Sequence, residues 1–100
     1  MASSRDYLEY ILDNLTELDN ITYKAMMGEF IIYYDGVVVG GIYDNRLLVK
    51  ITKSLDDLIP DFPKELPYKG AKEMALIEET DNRYLLRDVI LAVYNDLTKK

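Results

Sequence analysis

Between Ile21 and Ile51 the chain is dominated by β-branched and aromatic residues, and two dipeptides, Asp35-Gly36 and Asp44-Asn45, divide that stretch. Residues of this kind suit a pleated, half-buried surface. Both dipeptides tolerate the positive φ angles of a two-residue type I′ hairpin turn. The pattern predicts a three-stranded antiparallel meander with strands from Thr22 to Tyr34, Val37 to Tyr43 and Arg46 to Ile51. Gly28 falls inside the first strand, where an internal glycine marks a bulge or a close backbone approach, so a bend is expected there.

If each turn has two residues, Tyr34 faces Val37 and Tyr43 faces Arg46, and alternation assigns every strand residue to a side. One face then carries Ile31, Tyr33, Val38, Gly40, Ile42, Leu47, Val49 and Ile51, the expected core face. The other carries Phe30, Ile32, Tyr34, Val37, Val39, Gly41, Tyr43, Arg46, Leu48 and Lys50. An antiparallel sheet with one wet face alternates apolar with polar residues, and here both faces are greasy, so the second needs a cover. Its tyrosines, phenylalanine and arginine are types enriched at protein interfaces. Phe30, Ile32, Tyr34, Val37, Val39, Tyr43, Arg46 and Leu48 are therefore the candidate interaction face, for a protein partner or for a second copy in a homodimer. The alternative cover is internal, the proline-rich loop or the last helix folding across it.

Around the meander the period becomes helical. Leu8, Ile11, Leu12, Leu15 and Leu18 recur at three- and four-residue steps between Tyr7 and Leu18, with Ser3 or Ser4 as cap and Asp19-Asn20 as terminator. Ser54 to Ile59 fits one or two helical turns ahead of Pro60, Pro63 and Pro67, which make the next segment irregular. Glu73 to Glu78 reads as a strand, with a short one before it near Tyr68. Asp81 or Asn82 caps a closing helix with Leu86, Val89, Ile90, Val93 and Leu97 on one side and Lys99 and Lys100 at its negative end. The expected fold is α+β, a two-layer antiparallel sheet of about five strands with flanking helices in the order α-β-β-β-α-β-β-α, as a single domain spanning residues 1–100.

The chain has no His and no Cys, which removes thiolate nucleophiles, disulfides, classical zinc sites and imidazole catalysis. No carboxylate pair is selected by spacing, so no catalytic residue and no cofactor are assigned, and the protein is expected not to be an enzyme. Asp56, Asp57, Asp61 and Glu65 lack the spacing and glycine of a calcium loop and read as a solvated face, so no metal site is expected. Nine tyrosines suggest stacking platforms, but a net charge of −6 opposes direct nucleic-acid binding. Lys24, Arg46 and Lys50, modulated by Glu29 and Asp44, form a possible anion or small-ligand site; the competing reading is ordinary cross-strand charge pairing. No apolar run approaches the roughly 20 residues of a membrane span, and the N-terminal stretch lacks the apolar core of a signal peptide. A cytoplasmic protein without membrane contact is expected.

The stretch from Lys24-Ala25-Met26-Met27-Gly28-Glu29 through Asp35-Gly36, Asp44-Asn45 and Lys50 resembles the N-terminal domain of the TfoX/Sxy family. The positions carrying the resemblance are Lys24, Met26, Met27, Gly28, Asp35, Gly36, Asp44 and Lys50, with Met27 standing where Phe is common. Leu66 to Met74 and the closing helix also look like the family, so the likeness covers nearly the whole chain. It implies a two-layer α+β domain similar to the secretion-chaperone-like fold. Full-length members regulate natural competence as coactivators of transcription and carry a second, C-terminal domain, and the chain is expected to correspond to the first domain alone. The family supplies no catalytic residues to carry over. The resulting expectation is a small regulatory or protein-interaction module; the alternative is a small-molecule or anion-binding protein using Lys24, Arg46 and Lys50.

Overall fold

A computed structural model describes residues 3–99. The elements are α1 (Arg5–Asp13), β1 (Ile21–Met26), β2 (Glu29–Tyr34), β3 (Val37–Ile42), β4 (Leu47–Val49), α2 (Leu55–Leu58), β5 (Lys64–Glu65), β6 (Met74–Leu76) and α3 (Arg83–Thr98). The strands form one antiparallel sheet of six in the order β1-β2-β3-β4-β6-β5. This is the expected α+β architecture with one strand more than anticipated.

The additional strand comes from the turn at Met27-Gly28. The single long strand expected from Thr22 to Tyr34 is a hairpin, with Met26 paired to Glu29 and positive φ at both turn residues, 52° at Met27 and 86° at Gly28. Asp35-Gly36 (50° and 80°) and Asp44-Asn45 (54° and 55°) repeat the same left-handed pair. Three two-residue turns therefore fold β1 to β4 into a four-stranded meander.

The bend expected at Gly28 lies elsewhere. Tyr34 pairs with Val37 and Tyr33 with Val38 as the turn dictates, but Ile32 then pairs with Gly40, leaving Val39 as an extra residue. This bulge reverses the parity of everything before it in β2. Phe30 and Ile32 therefore join Ile42, Leu47 and Val49 on the inner face, while Ile31 pairs with Gly41 and faces outward. Gly40 is required here: a Cβ on it would stand 2.3 Å from the carbonyl oxygen of Leu48 and 2.9 Å from the Cα of Val49.

Both long helices cover the inner face. Ser4 caps α1 by accepting from the Tyr7 N–H, and Asn82 caps α3 by accepting from the Leu85 N–H, satisfying backbone donors that have no partner within the helix. Leu8, Ile11, Leu15 and Leu18 from the α1 side and Leu86, Val89, Ile90 and Val93 of α3 close over Phe30, Ile32, Val39, Ile42, Leu47 and Val49. α1 stops at Asp13, earlier than its apolar spacing suggests, and is followed by the buried Asn14, whose backbone is still helical and whose side chain donates to the Thr80 carbonyl and accepts from Arg83. Leu97, expected on the buried side of α3, is 40% exposed. The strand expected near Tyr68 lies earlier, at Lys64–Glu65. Lys100, expected at the end of the last helix, is outside the described residues.

Two polar clasps fasten the loops. Glu29 accepts from the Ser3 N–H at 2.9 Å, the Ser3 hydroxyl at 2.6 Å and the Asp44 N–H at 3.1 Å, which ties the segment before α1 to the β3–β4 turn. Asp96 of α3 accepts from the Ser54 N–H and hydroxyl at 2.8 and 2.9 Å, holding α2 against α3. The Ser54 backbone donor, with the Ser54 hydroxyl beside it, keeps the Asp96 carboxyl below the usual carboxylate range.

Candidate interaction surface

The interaction face expected from unbroken alternation does not exist as a surface. Phe30, Ile32 and Val39 are in the main core, and Tyr34 packs against it with its ring edge-on to Tyr94 of α3, centroids 4.9 Å apart. Val37 is half-buried. Leu48 and Tyr43 lie on the outer side and are also buried, Leu48 completely. The physical reason is the bulge at Val39, together with a loop that crosses the outer face. Gly41 leaves room for the Tyr43 ring, since a Cβ there would stand 2.6 Å from its Cε2. Tyr68 then packs on Tyr43 with centroids 6.3 Å apart, and Pro67 beside it is buried. Of the two covers weighed, the proline-rich loop takes this part of the outer face.

Beside that seal the outer face opens into a cleft of about 610 Å³. Its wall is Val38, Tyr43 and Met74, its rim is Ile51, Tyr68 and Leu97, and Lys50, Lys72 and Glu73 supply charge. Ile51, Tyr68 and Leu97 are 41%, 61% and 40% exposed, so three large apolar side chains converge on one opening in water. Burial, ahead of the neighbouring Tyr68, Glu29 and Tyr33, raises the Tyr43 hydroxyl above the ordinary phenol value, so it stays protonated and can donate at neutral pH.

Lys24, Arg46 and Lys50 do not converge. Lys24 shares a cross-strand row with Ile31, Gly41 and Leu48, which puts it three strands, about 14 Å, from β4. Arg46 is occupied: it forms an ion pair with Glu65, and its Nε donates to the Tyr43 carbonyl at 3.1 Å. Of the three, Lys50 reaches the cleft, which Lys72 and Glu73 also line. Glu29, the expected modulator, belongs to the Ser3 clasp. Of Asp56, Asp57, Asp61 and Glu65, Asp56 and Asp61 border one depression together with Lys64, and no group of three carboxylates among the described residues is placed to hold a metal ion. No helix among the described residues is long and apolar enough to cross a membrane.

The motif residues have a common structural meaning. Met27-Gly28, Asp35-Gly36 and Asp44 are the left-handed corners of the meander, Lys24 and Met26 lie on β1, and Lys50 follows β4. They mark the fold rather than a reacting centre. Ile51, Tyr68, Lys72 and Leu97 were not singled out as site residues, because only the docking of the 60–73 loop and the end of α3 brings them together. Their one local signal is the Leu66-Pro67-Tyr68 sequence, an apolar segment within an irregular loop.

Residues 13–97 match the family model described as the TfoX N-terminal domain. A curated relative, an uncharacterized 12.7 kDa protein in the trpE 5′ region of Spirochaeta aurantia, is 32% identical over 73 residues, covering 73% of this chain and 64% of that protein. The chain thus spans less than two thirds of that relative's length. No solved structure matches this chain.

Proposed function

Because the chain belongs to the TfoX N-terminal domain family, we propose that it is a small, non-enzymatic regulatory module that acts by binding another protein at the outer-face cleft. The carrying observation is the convergence of Ile51, Tyr68 and Leu97, all at least 40% exposed, on one concavity with Lys50 and Lys72 beside it. An apolar opening rimmed by a few charged groups suits a partner side chain anchored in the centre, with acidic groups at its edge. Family members with both domains regulate competence as transcriptional coactivators, and a protein rather than DNA is the partner assigned to this domain. A net charge of −6 is consistent with that assignment.

The test is affinity capture from the native cell with the wild-type protein and with Tyr68→Asp and Ile51→Asp, paired with light scattering at micromolar concentration. A partner retained by the wild type and lost from both variants supports the reading. A homodimer dissociated by the same substitutions would make the second copy the occupant of the cleft. A monomer whose captured proteins are unchanged in both variants refutes it. Small-anion binding at the same cleft is separated by a thermal-shift screen of metabolite anions, in which a ligand at a hundred times its Kd adds about 2.7 kcal/mol. Lys50→Ala with Lys72→Ala should abolish such a shift.

A further inference from the structure

We infer that the open edge of β1 is a second docking site, one that takes an extended, basic segment of a partner protein by adding a strand to the sheet. The inference rests on observations separate from the cleft. β1 is the first strand of the sheet and has a neighbour only in β2. Asp35 donates to the Asn20 carbonyl at 2.9 Å, and with Met26 paired to Glu29 across the tight turn, the even-numbered residues of β1 direct their backbone groups to β2. Tyr23 and Ala25 therefore direct theirs outward, and among the described residues no other hydrogen bond reaches them.

The two edges of the sheet are built differently. β5 is two residues long and lies between Pro63 and Pro67, the short, proline-flanked design that blocks strand addition. β1 has six residues, no proline and no bulge, and its one charge is Lys24. Beside it on the helix side runs a groove of about 480 Å³ lined by Leu12, Leu15, Leu18, Ile21 and Tyr23. Every second side chain of an added strand would enter that groove, which supplies apolar contact next to the free backbone groups. Arg5 donates to the Tyr23 hydroxyl at 2.8 Å and holds that ring in place.

Charge selects the occupant. Asp13, Glu17 and Asp19 are interleaved with the groove-lining residues, all are exposed, and none is in an ion pair among the described residues. A second copy paired antiparallel would set its uncharged Met26-Met27-Gly28 corner beside that end of β1 and leave those carboxylates without a cation. A strand with apolar residues at alternate positions and cations at one end is complemented. In the antiparallel sense of the rest of this sheet, its C-terminal end lies beside Ile21, two residues on from Asp19.

The probe is the peptide acetyl-Thr-Val-Thr-Val-Thr-Leu-Arg-Lys-amide, titrated into the 15N-labelled chain and compared with the same peptide ending in Glu-Glu. The expected result is chemical-shift change and slowed amide exchange at Tyr23 and Ala25, with at least tenfold weaker binding of the acidic peptide. Ala25→Pro, whose lost N–H faces away from β2, should abolish binding while preserving the far-UV circular dichroism. Should that variant fail to fold, Glu17→Lys with Asp19→Lys leaves β1 intact and should remove the preference for the basic peptide. Shifts confined to Ile51, Tyr68 and Leu97, equal binding of the two peptides, or a β1 edge already protected in a dimer of the free protein would each overturn the inference. None of these outcomes depends on whether the cleft binds a protein.

Discussion

Truncating Ile32 to alanine should be far more damaging than truncating Ile31, and the contrast measures the bulge directly. Ile32 is fully buried in the main core, against the helices. The substitution removes the equivalent of three methylene groups, about 2.4 kcal/mol at about 0.8 each. A packed lining that closes only partly adds a cavity penalty, for a total of about 3–4 kcal/mol. For a domain of this size that lowers Tm by about 15–25 °C. Ile31 points to the outer face and is half-buried, so water enters the vacated space and the loss stays below about 2 kcal/mol. Urea unfolding followed by far-UV circular dichroism gives both values. Tyrosine emission is the second probe, in a chain with nine tyrosines and no tryptophan. If Ile31→Ala costs as much as Ile32→Ala, or more, the strands pair without the extra residue at Val39, and the assignment of faces fails with it.

Gly40→Ala should cost about 3 kcal/mol or more by urea titration, because its Cβ would meet backbone atoms of β4 at 2.3 and 2.9 Å and no rotamer relieves the contact. Met27→Asn should raise stability by up to about 1 kcal/mol: the residue is 96% exposed with φ at 52°, so nothing is lost from packing while the left-handed corner becomes easier to hold. Asp96→Asn should lower Tm at neutral pH but not in strong acid. The folded carboxyl sits below its unfolded value, so its contribution is fully present above the unfolded value and disappears as pH falls through the folded one. Thermal scans of both proteins from pH 7 to pH 2 check this, and a gap that stays constant across that range contradicts it.

Much of the architecture is legible in the sequence where the deciding physics is local. Asp35-Gly36 and Asp44-Asn45 announce their turns because those residue types tolerate positive φ. Ser4 and Asn82 announce the helix starts because their side chains reach backbone donors three residues on. Met27-Gly28 hides its turn, since methionine is an unusual occupant of the left-handed region and the flanking residues read as one continuous strand. The bulge is the consequential omission. Gly40-Gly41 is its sequence signal, but only the approach of the β4 backbone shows which glycine is compelled and which way parity shifts. That single residue moved Phe30, Ile32 and Val39 from a supposed docking face into the core. The cleft is less legible still, because Ile51, Tyr68 with Lys72, and Leu97 come from three separate stretches that meet only after the loop has docked.

The run of tight corners along β1 to β4 bears on how quickly the molecule assembles. Each neighbour in that half is reached across two residues, so the entropy of closing each hairpin is small and the ladder can zip from any corner. Joining β4 to β6 is different, for it must first organise α2 and the whole proline-containing segment. Stopped-flow chevrons should therefore place Gly36→Ala mainly on the refolding arm and Ala75→Gly mainly on the unfolding arm. A chain built this way commits early to its first half and leaves the strip that roofs Tyr43 and Leu48 to settle last.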